Sequence, residues 1–375
     1  MMPSQITYLD NNATTPLRPQ VLHAMTEVLQ SHGNASSIHA AGRQARARIE
    51  AAHHQVAGLI AAKSDQIIFT SGGTEANNLA LRGVSVARVL MSAIEHESVV
   101  RAAPAGSAII PVLASGIIDL GALDALLADA DAPALVSVML ANNETGIVQP
   151  VAQASAIAHS HGALMHCDAV QAVGKLPVDC HALGVDMLTL SAHKFGGPQG
   201  AGALIVRNGV EITSQMRGGG QERGRRGGTE NVAAITGFAK AAALAMDALP
   251  GMIVEISAMR DRLEEGVAAI TPQVVFFGRS QHRLCNTSCF ALPGVAAAIQ
   301  VMNLDLAGVA VSAGAACSSG KVTRSAVLSA MGVGETLAGS AIRVSLGWAT
   351  TADDIGAFLA AWEMIAGRTK LRQAS

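Results

Sequence analysis

Four short stretches of this 375-residue chain bring together side chains that could do chemistry. In Ile68-Phe69-Thr70-Ser71-Gly72-Gly73-Thr74-Glu75, a β-rich run meets a Gly-rich turn and then a helical pattern. Such a turn presents free backbone N–H groups at the positive end of a helix dipole, and the Thr74 hydroxyl adds a donor, so the segment reads as a phosphate cradle. A tight turn with Thr74 capping the helix explains the same residues. In Met165-His166-Cys167-Asp168-Ala169-Val170-Gln171, an aspartate ends a buried run, where a carboxylate needs a partner. It either caps the next helix or pairs with a cationic ring nitrogen, with Gln171 in reach of a ring hydroxyl. In Ser191-Ala192-His193-Lys194-Phe195-Gly196-Gly197-Pro198, a lysine directly follows an apolar strand. A loop lysine is ordinarily solvated. One that bonds to a carbonyl needs a desolvated or cation-rich pocket, and Ser191 and His193 would be its neighbours or phosphate donors. Finally, Ala313-Gly314-Ala315-Ala316-Cys317-Ser318-Ser319-Gly320 surrounds one thiol with small residues, the freedom a nucleophile needs to reach a substrate and hand on its cargo.

The elements that must position these groups follow from hydrophobic periodicity. Strands are expected at 66–70, 88–92, 134–140, 163–167, 187–191 and 203–206, with helices at 75–81 and 151–161 among them. That alternation predicts an α/β domain whose mostly parallel sheet is covered by helices. An apolar stripe at Val21, Leu22, Met25, Val28 and Leu29 makes a further helix, ended by Gly33. The greasy run 232–248 carries Lys240 and Asp247 and reads as a buried helix. Beyond about residue 252 the pattern changes to an amphipathic helix (255–270), strands near 274–277 and 287–292, the Cys317 loop and a last helix at 352–366, a smaller α+β domain. With no linker or repeat between them, the domains should pack closely and leave a ligand cleft at their junction.

Composition narrows the classes. Half the residues are hydrophobic, 14% are charged and the net charge is −2, so no global field recruits nucleic acid or an anionic membrane. The N-terminus lacks a secretory signal, and no apolar stretch of membrane-spanning length escapes a charge or proline. Five cysteines, odd in number and without metal-ligand spacing, argue for a reducing, cytoplasmic setting and no metal site. Cys167, Cys180, Cys285 and Cys289 read as small buried hydrophobes.

The order phosphate loop, aspartate, lysine, each after a strand, resembles the pyridoxal-phosphate (PLP) dependent cysteine desulfurases of the NifS/IscS type, within the class V aminotransferase group. The likeness extends from Tyr8-Leu9-Asp10-Asn11-Asn12-Ala13-Thr14-Thr15-Pro16 through Glu95-His96, Asn142-Asn143-Glu144-Thr145-Gly146, the segment 218–231 and the Cys317 loop to Ile342-Arg343-Val344-Ser345-Leu346-Gly347. It implies a PLP-dependent aminotransferase-type fold with a large domain over 15–255 and a small one from 1–14 and 256–375. It implies that Lys194 bonds PLP, Asp168 pairs with the pyridine nitrogen and Gln171 donates to the ring oxygen. His96 would stack on the ring and serve proton transfer, while Gly73, Thr74, Ser191 and His193 bind the phosphate. Asn143 would lie near substrate, with Arg343 gripping its carboxylate. Thr229, in a basic stretch that reads otherwise as a solvated loop, would reach the phosphate of the second subunit of a homodimer.

The activity implied is conversion of L-cysteine to L-alanine, with sulfur held as a persulfide on Cys317 and passed to an acceptor such as an iron–sulfur scaffold protein. The loop matches the longer-loop class of these enzymes. Ala35, Gly227 and Ala326 depart from the family pattern without removing a group the chemistry needs, and Lys321 and Arg324 add positive charge near the thiol. The rivals are a selenocysteine lyase or another PLP transferase on the same fold, and a non-catalytic partner subunit.

Overall fold

The computed structural model describes residues 6–128, 133–314 and 325–373, so Cys317 lies outside the described residues. Its strands, in chain order, are β1 (Thr7–Tyr8), β2 (Ile67–Thr70), β3 (Arg88–Ser92), β4 (Ala108–Ile110), β5 (Ala134–Ser137), β6 (Leu164–Asp168), β7 (Met187–Ser191), β8 (Gly202–Val206), β9 (Val275–Phe277), β10 (Thr287–Ala291), β11 (Val309–Ala310), β12 (Ser312–Ala313) and β13 (Ala341–Ser345). Seven of them form one sheet in the order β2-β8-β7-β6-β5-β3-β4. Neighbours from β4 to β7 pair in parallel, and only β8 runs against its neighbours.

The residue pattern dictates three layers. Along β2, Ile67 and Phe69 enter one apolar core while Ile68 enters another; along β8, Ala203 and Ile205 face the first core, Leu204 and Val206 the second. Period-two alternation with apolar residues on both faces demands cover on both sides. Helices α1 (Pro19–Leu29) and α2 (Ala40–Leu59) pack against helix Val232–Ile270 as cover for the first face, whereas α3 (Gly73–Gly83) and the short α4 (Glu97–Val100) lie together on the second.

The remaining strands build a separate antiparallel sheet, β12-β13-β10-β9, beside the parallel pair β1–β11. Its core is aromatic: Phe290 meets Trp362 edge-on at 5.4 Å, and Phe358 stacks on the same indole.

Helix Val232–Ile270 joins the first core of the large sheet to this aromatic core, with Phe238, Ala241 and Ala245 in the former and Ile256, Leu263 and Val267 in the latter. Two helices, ending and restarting around 250, were expected here. Pro250 does not break the helix because it and Met246, whose carbonyl it cannot serve, are both exposed, so water can take the freed acceptor. Among the described residues this helix alone is long and apolar enough to cross a membrane by length and composition, and half of its apolar window is buried inside the fold. β5 also stops sooner than expected, at Ser137, although Val138 and Leu140 still donate to the backbone of His166 and Asp168.

Candidate active site

The C-terminal ends of the parallel strands converge on one cavity of about 240 Å³, the place where open α/β sheets characteristically hold ligands. β6 delivers Asp168, β7 delivers Ser191 and a single helical turn carrying His193 and Lys194, and the chain beyond β5 delivers Asn143. Gly73 and Thr74 at the start of α3, and His96 at the start of α4, complete the lining.

Asp168 is buried, and no helix follows it, so it is not a helix cap. One carboxylate oxygen accepts from Asn77 Nδ2 at 2.8 Å and the other from the Val170 N–H at 3.0 Å. Beside it, burial and the Asp168 charge push the Glu95 carboxyl well above the usual range, while Glu95 accepts from the Met139 N–H at 2.7 Å. Burial and the neighbouring carboxylate thus favour the neutral form of the Glu95 carboxyl.

Lys194 Nζ donates to the carbonyls of Asn12 (2.6 Å) and Ala13 (2.8 Å). Burial, followed by the nearby Arg343 guanidinium, lowers its pKa to about 8 against the opposing pull of Asp10 and Asp168. That is the desolvated, cation-flanked setting a nucleophilic or basic lysine requires. Burial likewise lowers His193 to about 4, leaving a neutral ring whose Nδ1 lies 3.1 Å from Thr14 Oγ1. His96 caps α4: its Nδ1 accepts from the Ser98 N–H at 3.1 Å, which leaves Nε2 to carry the ring proton.

Thr74 is not the cap of α3. Gly72 holds that position without a side-chain bond, and Glu75 reaches back to the Ser71 N–H at 2.8 Å. Among the described residues Thr74 Oγ1 and Ser191 Oγ have no protein partner, and the first N–H groups of an 11-residue helix stand beside them. A Cβ on Gly73 would come within 3.0 Å of the Val170 side chain and crowd this cradle. Hydroxyl and backbone N–H donors, a buried carboxylate and a desolvated amine, all lining one cavity, match in kind PLP's phosphate, pyridine nitrogen and aldehyde.

Two expected residues stand outside the cavity lining. Arg343, in the middle of β13, donates to Asp10 Oδ1 (2.7 Å) and to the Asn143 carbonyl (3.0 Å), while its buried Nε has no partner. Thr229 is exposed and borders a different cleft of about 180 Å³. The stretch around it is pinned rather than freely solvated: Glu222 is buried against His53 and the Phe69 N–H, Arg225 donates to the carbonyls of Asp65 and Ile67, and Arg226 pairs with Glu75. A cleft of about 280 Å³ between α2 and this stretch is larger than the central cavity, and of its charged side chains Glu222 and Arg225 serve those contacts.

Cys167, Cys180, Cys285 and Cys289 are all buried, with burial raising each thiol pKa. Just before the segment that carries Cys317, Gly314 bonds back to Ala341; just after it, Ser325 donates to Glu144, whose carboxyl burial raises to about 7.

Sequence reasoning gave no role to Asn12, Asn77, Glu95, Glu144 or Lys175. Asn12, Glu95 and Glu144 sit inside motifs that carry the family resemblance, and Asn77 lies one helical turn past Gly73 on the same face of α3, so signals existed for those four. Lys175 had only its spacing of four from Gln171.

The family model for class-V aminotransferases matches residues 7–358. The chain is 45% identical to the cysteine desulfurase of Cereibacter sphaeroides, over 94% of this chain and 93% of that one. It is 40% identical to an IscS-like cysteine desulfurase of Mycobacterium tuberculosis, over 94% of each. The X-ray structure of a NifS-like protein from Rickettsia africae superimposes with a TM-score of 0.88 at 38% identity, covering 96% of this chain and 99% of that one. Strand order, cavity and sequence thus agree, and the chain belongs to the class-V aminotransferase family, within its cysteine desulfurase group.

Proposed function

We propose that this protein is a PLP-dependent cysteine desulfurase that converts L-cysteine to L-alanine and holds the sulfur on Cys317. The observation that carries this reading is the convergence of Asp168 and Lys194, from neighbouring strand ends, on one cavity that Gly73, Thr74 and Ser191 also line.

When bound, PLP supplies an electron sink for the charge left on the substrate Cα. Asp168, fixed by Asn77 and the Val170 N–H, holds a proton on the pyridine nitrogen. Thr74, Ser191, His193 and the α3 N-terminus would seat the phosphate, Gln171 would donate to the ring oxygen, and His96 would stack on the ring and serve proton transfer through Nε2–H. Lys194 would hold the cofactor and take the substrate Cα proton on Nζ; its lowered pKa keeps part of it neutral near pH 8. Asn143 and Arg343 hold the substrate carboxylate, Arg343 with the Nε–H that no protein group uses. The Cys317 thiolate attacks the substrate sulfur. An S–S bond forms as the carbon–sulfur bond breaks, the electron pair returns to carbon, and protonation there yields alanine, so no outside oxidant is needed.

The chain divides into a large domain (15–255) and a small one (1–14 and 256–375), a division supported by the two apolar cores. The active unit is a homodimer in which Thr229, remote from its own cavity, completes the partner's phosphate site. The persulfide passes to an acceptor protein, an iron–sulfur scaffold, in the cytoplasm, where unpaired cysteines are stable.

The test is the visible spectrum of the purified protein with Cys317→Ser beside wild type. Both should carry the PLP band, and only wild type should release alanine and form a persulfide. Equal alanine release by the variant would remove Cys317 from the role, and a protein that stays colourless after PLP is supplied would overturn the function.

A further inference from the structure

Lys175 is a buried lysine that the reaction above does not use. Charged side chains are seldom buried unless a carboxylate or other strong partner compensates. Among the described residues, Lys175 Nζ bonds no carboxylate; its two partners are amide oxygens, Gln171 Oε1 at 2.7 Å and Asn12 Oδ1 at 3.0 Å. Burial, then the proximity of Lys194, lowers its pKa to about 7. A lysine kept in so costly a place without an ion pair calls for an explanation in terms of what it orients.

Both partners lead directly to the active site. An amide can turn over at little cost, exchanging its donor and acceptor ends. Charged or neutral, Lys175 Nζ keeps at least two N–H donors and gives them to the Gln171 and Asn12 oxygens, so Lys175 commits the Gln171 oxygen to itself and turns the Gln171 nitrogen the other way. That nitrogen donates to the Asn12 carbonyl at 2.9 Å, and Gln171 lines the cavity where its second N–H can serve a ligand. The same Asn12 carbonyl receives Lys194 Nζ at 2.6 Å. Asn12 is oriented in the same way: its oxygen accepts from Lys175 and Asn286, which leaves its nitrogen to donate to Thr287 and to the Asn143 carbonyl.

We infer that Lys175 is a positioning residue, which acts through Gln171 and Asn12 to present an N–H donor to the cofactor ring oxygen and to fix the carbonyl on which Lys194 rests. The inference rests on the proposed PLP function and adds a residue to it. Lys175 itself touches neither cofactor nor substrate.

The experiment compares wild type, Lys175→Met, Gln171→Met and the double variant, reading PLP affinity by reconstitution of the apoprotein, the position of the visible band, and the apoprotein melting temperature. One lost hydrogen bond corresponds to about a fivefold weakening. Each single variant should weaken PLP binding by about that factor and shift the band in the same direction. The double variant should weaken binding by less than the product of the two single effects, because the substitutions share the Gln171 route while Lys175 also acts through Asn12. Unchanged affinity and spectrum in Lys175→Met, or full additivity in the double variant, would overturn the inference. Should Lys175→Met not fold, Gln171→Glu decides: it keeps a partner for Lys175 and removes the donor, so it should lose PLP affinity without a fall in apoprotein melting temperature. Wild-type affinity in Gln171→Glu would contradict the positioning role. A wild-type protein that never develops the visible band would instead defeat the PLP reading itself, an outcome distinct from a normal wild-type band unaffected by the substitutions.

Discussion

The seven-stranded and four-stranded sheets place polar groups near the same cavity by different means. Asp168 closes β6, and Lys194 follows β7 by three residues, so both lie where the ladder ends and backbone and side chain are free to turn into the cavity. Arg343 stands mid-strand in β13, opposite Cys289 of β10 and Ser312 of β12. A guanidinium there is enclosed on both sides, and Asp10 and the Asn143 carbonyl hold it in place. Strand ends can present reactive groups with little scaffolding, whereas a mid-strand cation needs a counter-charge brought from a distant part of the chain. In the reaction proposed, the strand ends of the large sheet supply the chemistry, and the antiparallel sheet supplies a clamp whose strength depends on its neighbour.

The largest effect should come from the strand end. Lys194→Ala removes the base, and alanine formation in a steady-state assay should fall by about 10⁴-fold, the upper range for general acid–base catalysis. A loss under tenfold would show that the strand-end lysine is not the base. Next comes the small core: Trp362→Ala should destabilise the protein by about 3–5 kcal/mol in chemical denaturation, while folded protein keeps its PLP band, because Trp362 packs only within the antiparallel region's core. A lost band at full folding would join the two regions more tightly than their separate cores suggest. Arg343→Gln should raise the KM for L-cysteine by about 10–100-fold with a smaller change in kcat, as expected for loss of a charged hydrogen bond to the substrate carboxylate. A fall confined to kcat would move Arg343 from clamp to chemistry.

The smallest effect is on pH dependence. Lys194 must be neutral to accept a proton, and burial with the Arg343 charge lowers its pKa from the usual lysine range to about 8. Activity should therefore rise with pH through about 8 and level off above it. Arg343→Gln, which removes the charge that disfavours the ammonium, should move that midpoint upward. A midpoint unchanged by Arg343→Gln would uncouple the two sheets electrically.

The large sheet was legible because strands buried on both faces read as continuous apolar runs, so the boundaries of β3 and β7 match the sequence expectation. Helix α2 was not anticipated, since much of its buried stripe is alanine: Ala45, Ala52 and Ala57 give little periodic contrast against Arg and His on the other face. In the cavity, the groups at strand ends and a helix start were legible by position: Gly73, Thr74, Asp168, Ser191, His193 and Lys194; His96 was assigned through the family resemblance alone. Groups that act through other groups were not. Asn77 meets Asp168 from 91 positions away, Lys175 meets Asn12 across 163, and Asp10 meets Arg343 across 333, distances that no local spacing can encode.

The central claim is that Asp168 and Lys194 hold PLP for cysteine desulfuration, and it is tested most directly by titrating the purified protein with L-cysteine while recording the visible spectrum and assaying alanine in the same sample. The account predicts a visible band that shifts on addition of cysteine, alanine appearing in step, and no alanine formed by Lys194→Ala. A band that ignores cysteine, or alanine formed at the wild-type rate by Lys194→Ala, would contradict it.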